Sequence, residues 1–176
     1  MTRIRWIVSI VSVVVIGLGV LLAVNLGNKP STTNPTVHQP APEFKLTAFD
    51  GKPVDLASLQ NKVVFVNFWN EWCQPCQQET PALVALAKAH ANDPNFVMIG
   101  IVHDPNSHGA ATTYATKNKM TYTLAFDPGD RTSLNYGVTG QPETFLIDKA
   151  GIVDQWVSGP IDPSAMETEI ERLENT

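Results

Sequence analysis

Cysteine is nearly missing: the 176-residue chain has two, Cys73 and Cys76. That scarcity excludes a disulfide-stapled scaffold. Histidine is also scarce, with four in the chain. A zinc centre needs about four ligands. His103 and His108 have loosely permissive spacing, but they lie far beyond the usual finger separation and in a different expected element. Basic charge is thin as well. Twelve Lys and Arg face 17 Asp and Glu, for a net charge of −5. Residues 1–42 hold Arg3, Arg5 and Lys29 and no acid, which leaves 9 basic against 17 acidic side chains in the remainder. So acidic a remainder argues against nucleic acid or an anionic bilayer as its partner. No internal repeat is visible, and the length suits an anchor plus one domain.

The cysteines sit in the stretch that organises the chain, VVFVNFWNEWCQPCQQETP from Val63 to Pro81. Val63–Trp69 is apolar, β-branched and aromatic, the pattern of a buried strand. Gln77 to Ala91 has helical spacing, with Leu83, Leu86 and Ala87 on one side. A strand that runs through Cys-x-x-Cys into a helix places the first sulfur at a helix N-terminus. Free backbone N–H groups and the positive end of the dipole favour an anion there. Cys73 is therefore the expected attacking thiolate. A purely structural disulfide would close a tiny loop, where the entropic benefit is small. Pro75 is tolerated in the first turn, whose N–H groups have no intrahelical partner.

Taken in order, Trp6–Leu26 is almost unbroken apolar sequence. About 21 residues at 1.5 Å each give roughly 31 Å, enough to cross the hydrocarbon core. The run is longer than a signal's apolar region and lacks a clear Ala-x-Ala exit, so an uncleaved anchor is expected. Arg3 and Arg5 place the N-terminus in the cytoplasm and the rest of the chain outside it. Residues 27–42 read as a Pro/Ser/Thr-rich linker, and residues 43–176 as the folded domain. Phe44, Leu46 and Phe49 before Asp50-Gly51-Lys52-Pro53 predict a β-hairpin, and Asp55 is placed to cap a short helical turn. Phe96–Val102 predicts a buried parallel strand. Ser107–Lys119 predicts a helix, Tyr122–Phe126 a strand and Arg131–Tyr136 a short helix ended by Gly137. Glu143–Ile147 and Ile152–Val157 predict a hairpin, and Asp162 or Ser164 a cap for the last helix. Alternating β and α elements make this an α/β sandwich.

The segment VNFWNEWCQPC, Val66–Cys76, resembles the active site of thioredoxin-fold oxidoreductases. From about Ala41 to Leu173 the chain resembles the membrane-anchored TlpA/ResA/CcmG (DsbE) family of extracytoplasmic thioredoxin-like proteins. A second motif supports this: Gly137–Asp148, GVTGQPETFLID, is similar to the family's Gly-Val-x-Gly-x-Pro-Glu-Thr-Phe-Leu-Ile-Asp segment. The resemblance implies a thioredoxin fold with an N-terminal β-hairpin and a central βα insertion, about Phe96–Phe126, preceded by one transmembrane helix. It implies that Pro142 is cis, that Gln141 offers its backbone to substrate, and that Gln74 and Pro75 form the active-site loop between attacking Cys73 and resolving Cys76. Trp72 is expected to shield the site and contact substrate; Trp69 is expected in the core.

Asn67 stands where cytoplasmic thioredoxins carry a buried aspartate, and an amide cannot shuttle a proton. Glu79, three residues past Cys76, shares its helical face, and the family often carries a glutamate there. Glu79 is the expected acid/base partner, with a pKa raised by burial; the alternative is a solvated glutamate favoured by the helix dipole. Glu71 and Glu143 are further candidates at the cleft border. No metal and no cofactor beyond the cysteine pair is expected. The family's task implies reduction of the Cys-x-x-Cys-His thiols of apocytochrome c, with electrons from a membrane thiol transporter of the CcdA/DsbD type. An oxidant or isomerase acting on exported proteins remains open, because direction follows reduction potential. A thiol peroxidase fits poorly, since Asn70-Glu71-Trp72 precedes Cys73 in place of that class's threonine or serine pattern. A copper or zinc module is the non-enzymatic alternative.

Overall fold

The computed structural model describes residues 36–102 and 108–176. The expected membrane span over 6–26, the linker before Thr36 and His103 lie outside the described residues. Among the described residues no helix is long and apolar enough to cross a membrane.

The centre of the fold is β3 (Val63–Trp69), in which every residue is buried. Its side chains alternate between the two faces of the sheet. Val64, Val66 and Phe68 enter one core with Ile99, Ile101, Phe145 and Tyr136. Val63 and Phe65 enter the other with Leu83, Leu86, Met166 and Ile170. Burial of each such side chain stabilises the fold by about 1.5–3 kcal/mol. Asn67 and Trp69 continue the second face toward the sheet's C-terminal end.

The described residues form one seven-stranded sheet, in the order β2 (Pro53–Asp55), β1 (Lys45–Ala48), β5 (Thr123–Phe126), β4 (Phe96–Val102), β3, β6 (Glu143–Ile147) and β7 (Val153–Ser158). The expected N-terminal hairpin is β1 (Lys45–Ala48) with β2 (Pro53–Asp55), paired antiparallel. Asp55 caps the short 3-10 turn Leu56–Leu59, accepting from Ala57 N at 3.1 Å. β3 leads into α1 (Gln74–Ala89). β4 (Phe96–Val102) lies parallel to β3 with Val63 opposite Phe96. Then come α2 (His108–Lys117) and β5 (Thr123–Phe126), parallel to β4. The expected insertion is therefore a strand–helix–strand crossover, and β5 also receives the hairpin, pairing antiparallel with β1. α3 (Arg131–Asn135) precedes β6 (Glu143–Ile147), which pairs antiparallel with β3. β7 (Val153–Ser158) closes that edge, and α4 (Pro163–Glu174) ends the fold.

Two helix starts are fixed by their caps. α1 begins at Gln74, three residues earlier than its apolar spacing shows, because Cys73 acts as its N-cap. Its first turn carries the active-site loop and has no apolar stripe to announce it. At α4 the cap is Asp162, which accepts from Ser164 N and Ala165 N.

Candidate active site

Cys73 has extended backbone, and its sulfur takes the place of a capping oxygen. Cys76 N donates toward Cys73 Sγ at 3.2 Å. The two cysteines form a disulfide, with 5.2 Å between Cα atoms. Both are buried, Cys73 at 5% and Cys76 at 2% exposure. The helix continues through Pro81, which removes one N–H from its ladder.

Opposite the sulfurs lies the loop before β6. The Gln141–Pro142 peptide is cis. The Gln141 carbonyl oxygen lies 3.5 Å from Cys73 Sγ. Two carboxamides join the loop to the end of β3: Asn70, fully buried, donates from Nδ2 to Gln141 Oε1 at 3.2 Å. Glu143 holds the loop from below. Its Oε1 accepts from Thr139 N, Thr139 Oγ1 and Gly140 N at 3.0–3.1 Å, and its Oε2 from Trp156 Nε1 at 2.8 Å.

Glu79 lies inside the protein, at 3% exposure. That excludes the alternative of a solvated glutamate. Its Oε1 accepts from Ile161 N at 2.9 Å and its Oε2 from Asn67 Nδ2 at 3.3 Å. Burial pushes the Glu79 carboxyl up to about 7, while these two bonds hold it down. The ionised form is penalised because two donors replace only part of its hydration. Burial also pushes the Tyr122 phenol up, and the Glu79 charge adds to that.

Trp72, Cys73, Gln74, Pro75 and Gln141 line one cleft of about 610 Å³, together with Leu134 of α3. Trp72 is 59% exposed, so it forms a wall of the cleft more than a shield over it. Trp69 is buried, as expected for core. Neither Glu71 nor Glu143 is among the residues that line the cleft; Glu143 borders it one layer back, through its bonds to the lining residues Thr139 and Gly140. Glu143 is 1% exposed, its carboxylate enclosed by its bonds to Thr139, Gly140 and Trp156. The Glu71 carbonyl accepts from Gln77 Nε2 at 2.6 Å. His108 stacks on Phe126, and the cysteines are bonded to each other. Sequence reasoning missed Asn70 as a tie to the loop, Ile161 as the backbone donor to Glu79, and Leu134. Asn70 was signalled only by its place beside the strand end; the other two depend on long-range packing.

The sequence profile of the AhpC/TSA family matches residues 37–156. The thioredoxin-like protein YneN of Bacillus subtilis is 28% identical over 133 residues, covering 76% of this chain and 78% of YneN. The thiol-disulfide oxidoreductase ResA of Geobacillus kaustophilus is 31% identical over 133 residues, covering 76% and 75%. A crystal structure described as a putative thiol:disulfide interchange protein DsbE from Chlorobium tepidum superposes with a TM-score of 0.70 at 31% identity, over 77% of this chain and 95% of that one. With the cysteine pair, the cis-proline loop and the fold in place, the chain belongs to the thioredoxin-like AhpC/TSA family and is a thiol-disulfide oxidoreductase of the ResA/DsbE type.

Proposed function

We propose that this protein is a membrane-anchored reductant that works outside the cytoplasm, with the disulfide of the apocytochrome c haem-attachment motif as its substrate. The observation that carries the redox role is Cys73 Sγ at the start of α1, 3.2 Å from Cys76 N and facing the Gln141 carbonyl. Backbone N–H groups and the helix dipole stabilise a thiolate there once the pair is reduced. The names of the relatives, a thiol-disulfide oxidoreductase and a thiol:disulfide interchange protein, support the exchange chemistry. The resemblance of the two motifs to the ResA/CcmG family supports the apocytochrome task, and the apolar run 6–26 with Arg3 and Arg5 supports the anchor.

In the forward direction the Cys73 thiolate attacks a substrate sulfur. A Cys73–substrate disulfide forms, the substrate S–S bond breaks, and one substrate thiolate leaves. Cys76 then gives up its proton and attacks Cys73 Sγ. The Cys73–Cys76 disulfide forms and the second substrate thiolate leaves. Two electrons pass to the substrate. Glu79, poised near neutrality, is the acid/base group that takes the Cys76 proton. Gln141 and Pro142 present the substrate backbone to Cys73, Trp72 borders it, and Gln74-Pro75 holds the sulfurs one turn apart. A membrane thiol-electron transporter of the CcdA/DsbD type returns the protein to the dithiol.

The test is reduction, by the pre-reduced soluble domain, of a peptide carrying an oxidised Cys-x-x-Cys-His motif. Rapid stoichiometric transfer of two electrons supports the proposal. Oxidation of reduced peptides by the disulfide form, with no reverse transfer, would assign the protein to disulfide formation in exported proteins.

A further inference from the structure

Among the described residues two large apolar side chains stand exposed: Trp72 at 59% and Leu134 at 72%. An isolated exposed leucine is ordinary. These two line the same cleft, and that cleft reaches Cys73. Neither adds to the core, so folding does not account for the pair.

Leu134 is firmly supported. The buried Asp127 carboxylate accepts from Thr132 N at 2.9 Å, and from Ser133 N and Ser133 Oγ at 2.8 and 2.9 Å. Thr132 and Ser133 are thereby drawn inward, and both are buried. Tyr136, fully buried, packs against Phe68 and Phe145 and pins the other end of α3. The residue between these anchors is turned outward on a fixed support. Rigid apolar side chains at a cleft cost little ordering when a partner arrives.

We propose that Leu134 and Trp72 form an apolar clamp for a side chain next to the attacked cysteine, and that Leu134 sets a preference for disulfide-bearing polypeptides with an apolar residue at that position. The occupant follows from continuity with the reactive sulfur. A chain that brings a disulfide to Cys73 must lie in the cleft that Leu134 borders. The proposal rests on reading this cleft as the exchange site; it holds whichever protein is the natural substrate.

The experiment compares three disulfides with the pre-reduced soluble domain: a peptide with leucine beside the cysteine, the same peptide with serine there, and 2-hydroxyethyl disulfide. The unmodified domain should reduce the leucine peptide with a roughly tenfold higher second-order rate constant than the serine peptide, the discrimination expected of one apolar contact. Leu134→Ser should erase that ratio by slowing the leucine peptide, through weaker saturation of the single-turnover rate with peptide concentration, and leave the rate on 2-hydroxyethyl disulfide unchanged. Leu134→Met, which keeps apolar surface, should preserve the ratio. Equal rates on the two peptides by the unmodified domain overturn the clamp alone. No transfer to any of the three overturns the exchange reading itself. A Leu134→Ser domain that keeps the peptide ratio but loses self-association by sedimentation would overturn the clamp and assign the face to a second copy of the chain.

Discussion

Asn67 donates from one nitrogen to Glu79 Oε2 at 3.3 Å and to Thr144 Oγ1 at 3.0 Å. The bond joins the central strand to the helix that carries both cysteines, and it ends on a carboxyl poised near pH 7. An aspartate at Asn67 would set two acids against each other. The amide donates and keeps the titration in Glu79 alone.

Glu79→Gln should abolish the inflection near pH 7 in the rate of thiol exchange, leaving only the titration of the cysteines. Rapid-mixing kinetics from pH 5 to 9 would show it. A profile identical to that of the unmodified protein would remove Glu79 from the mechanism.

The same shift has a consequence for stability. Glu79 titrates at about 7 when folded and near 4.3 in an unfolded chain. Its contribution is therefore fully present below about pH 4.3 and is lost as pH rises through 7. The difference is on the order of 3 kcal/mol. Denaturant unfolding at pH 5 and pH 8 should show stability falling across that window in the unmodified protein, and a flatter dependence in Glu79→Gln.

Asn67→Ala removes a donor to the ionised carboxylate, so it should move the exchange inflection to higher pH. A shift to lower pH would contradict the role assigned to this bond.

Glu143→Ala frees four donors, at Thr139, Gly140 and Trp156. Loss of about 3 kcal/mol in stability is expected, since buried donors left unpaired cost about 1–3 kcal/mol each and do not add. Exchange should slow as well, because Thr139 and Gly140 line the cleft. Stability unchanged within error would show that the loop does not depend on this carboxylate.

Cys73→Ala should abolish exchange, while Cys76→Ala should accumulate substrate–Cys73 mixed disulfides visible by mass spectrometry. Normal turnover by Cys76→Ala would contradict its resolving role.

Much of this was legible along the chain. Val63–Trp69, apolar except for Asn67, and the continuous apolar run Phe96–Val102 are each bounded by polar residues, and the strands occupy those same residues. The Cys-x-x-Cys and Gly137–Asp148 motifs placed the two halves of the cleft, and helical spacing put Glu79 on the Cys76 face. Other features depend on contacts distant in sequence. The Ile161 N–H reaches Glu79 only after β7 turns into α4. Glu143 reads like any strand-end acid until the loop folds back over it. Leu134 has the residue type of a core position in a short helix, and the two anchors on either side of it, Asp127 on Thr132 and Ser133 and the buried Tyr136, leave it facing solvent.

The reduction potential of the Cys73–Cys76 pair tests the central claim most directly. Equilibration of the soluble domain, starting near Thr36, against defined thiol–disulfide buffers would give it. A reductant should have a value near that of thioredoxin, about −270 mV. A value near −120 mV, that of a strong disulfide donor, would contradict the account and make the protein an oxidant of its substrates.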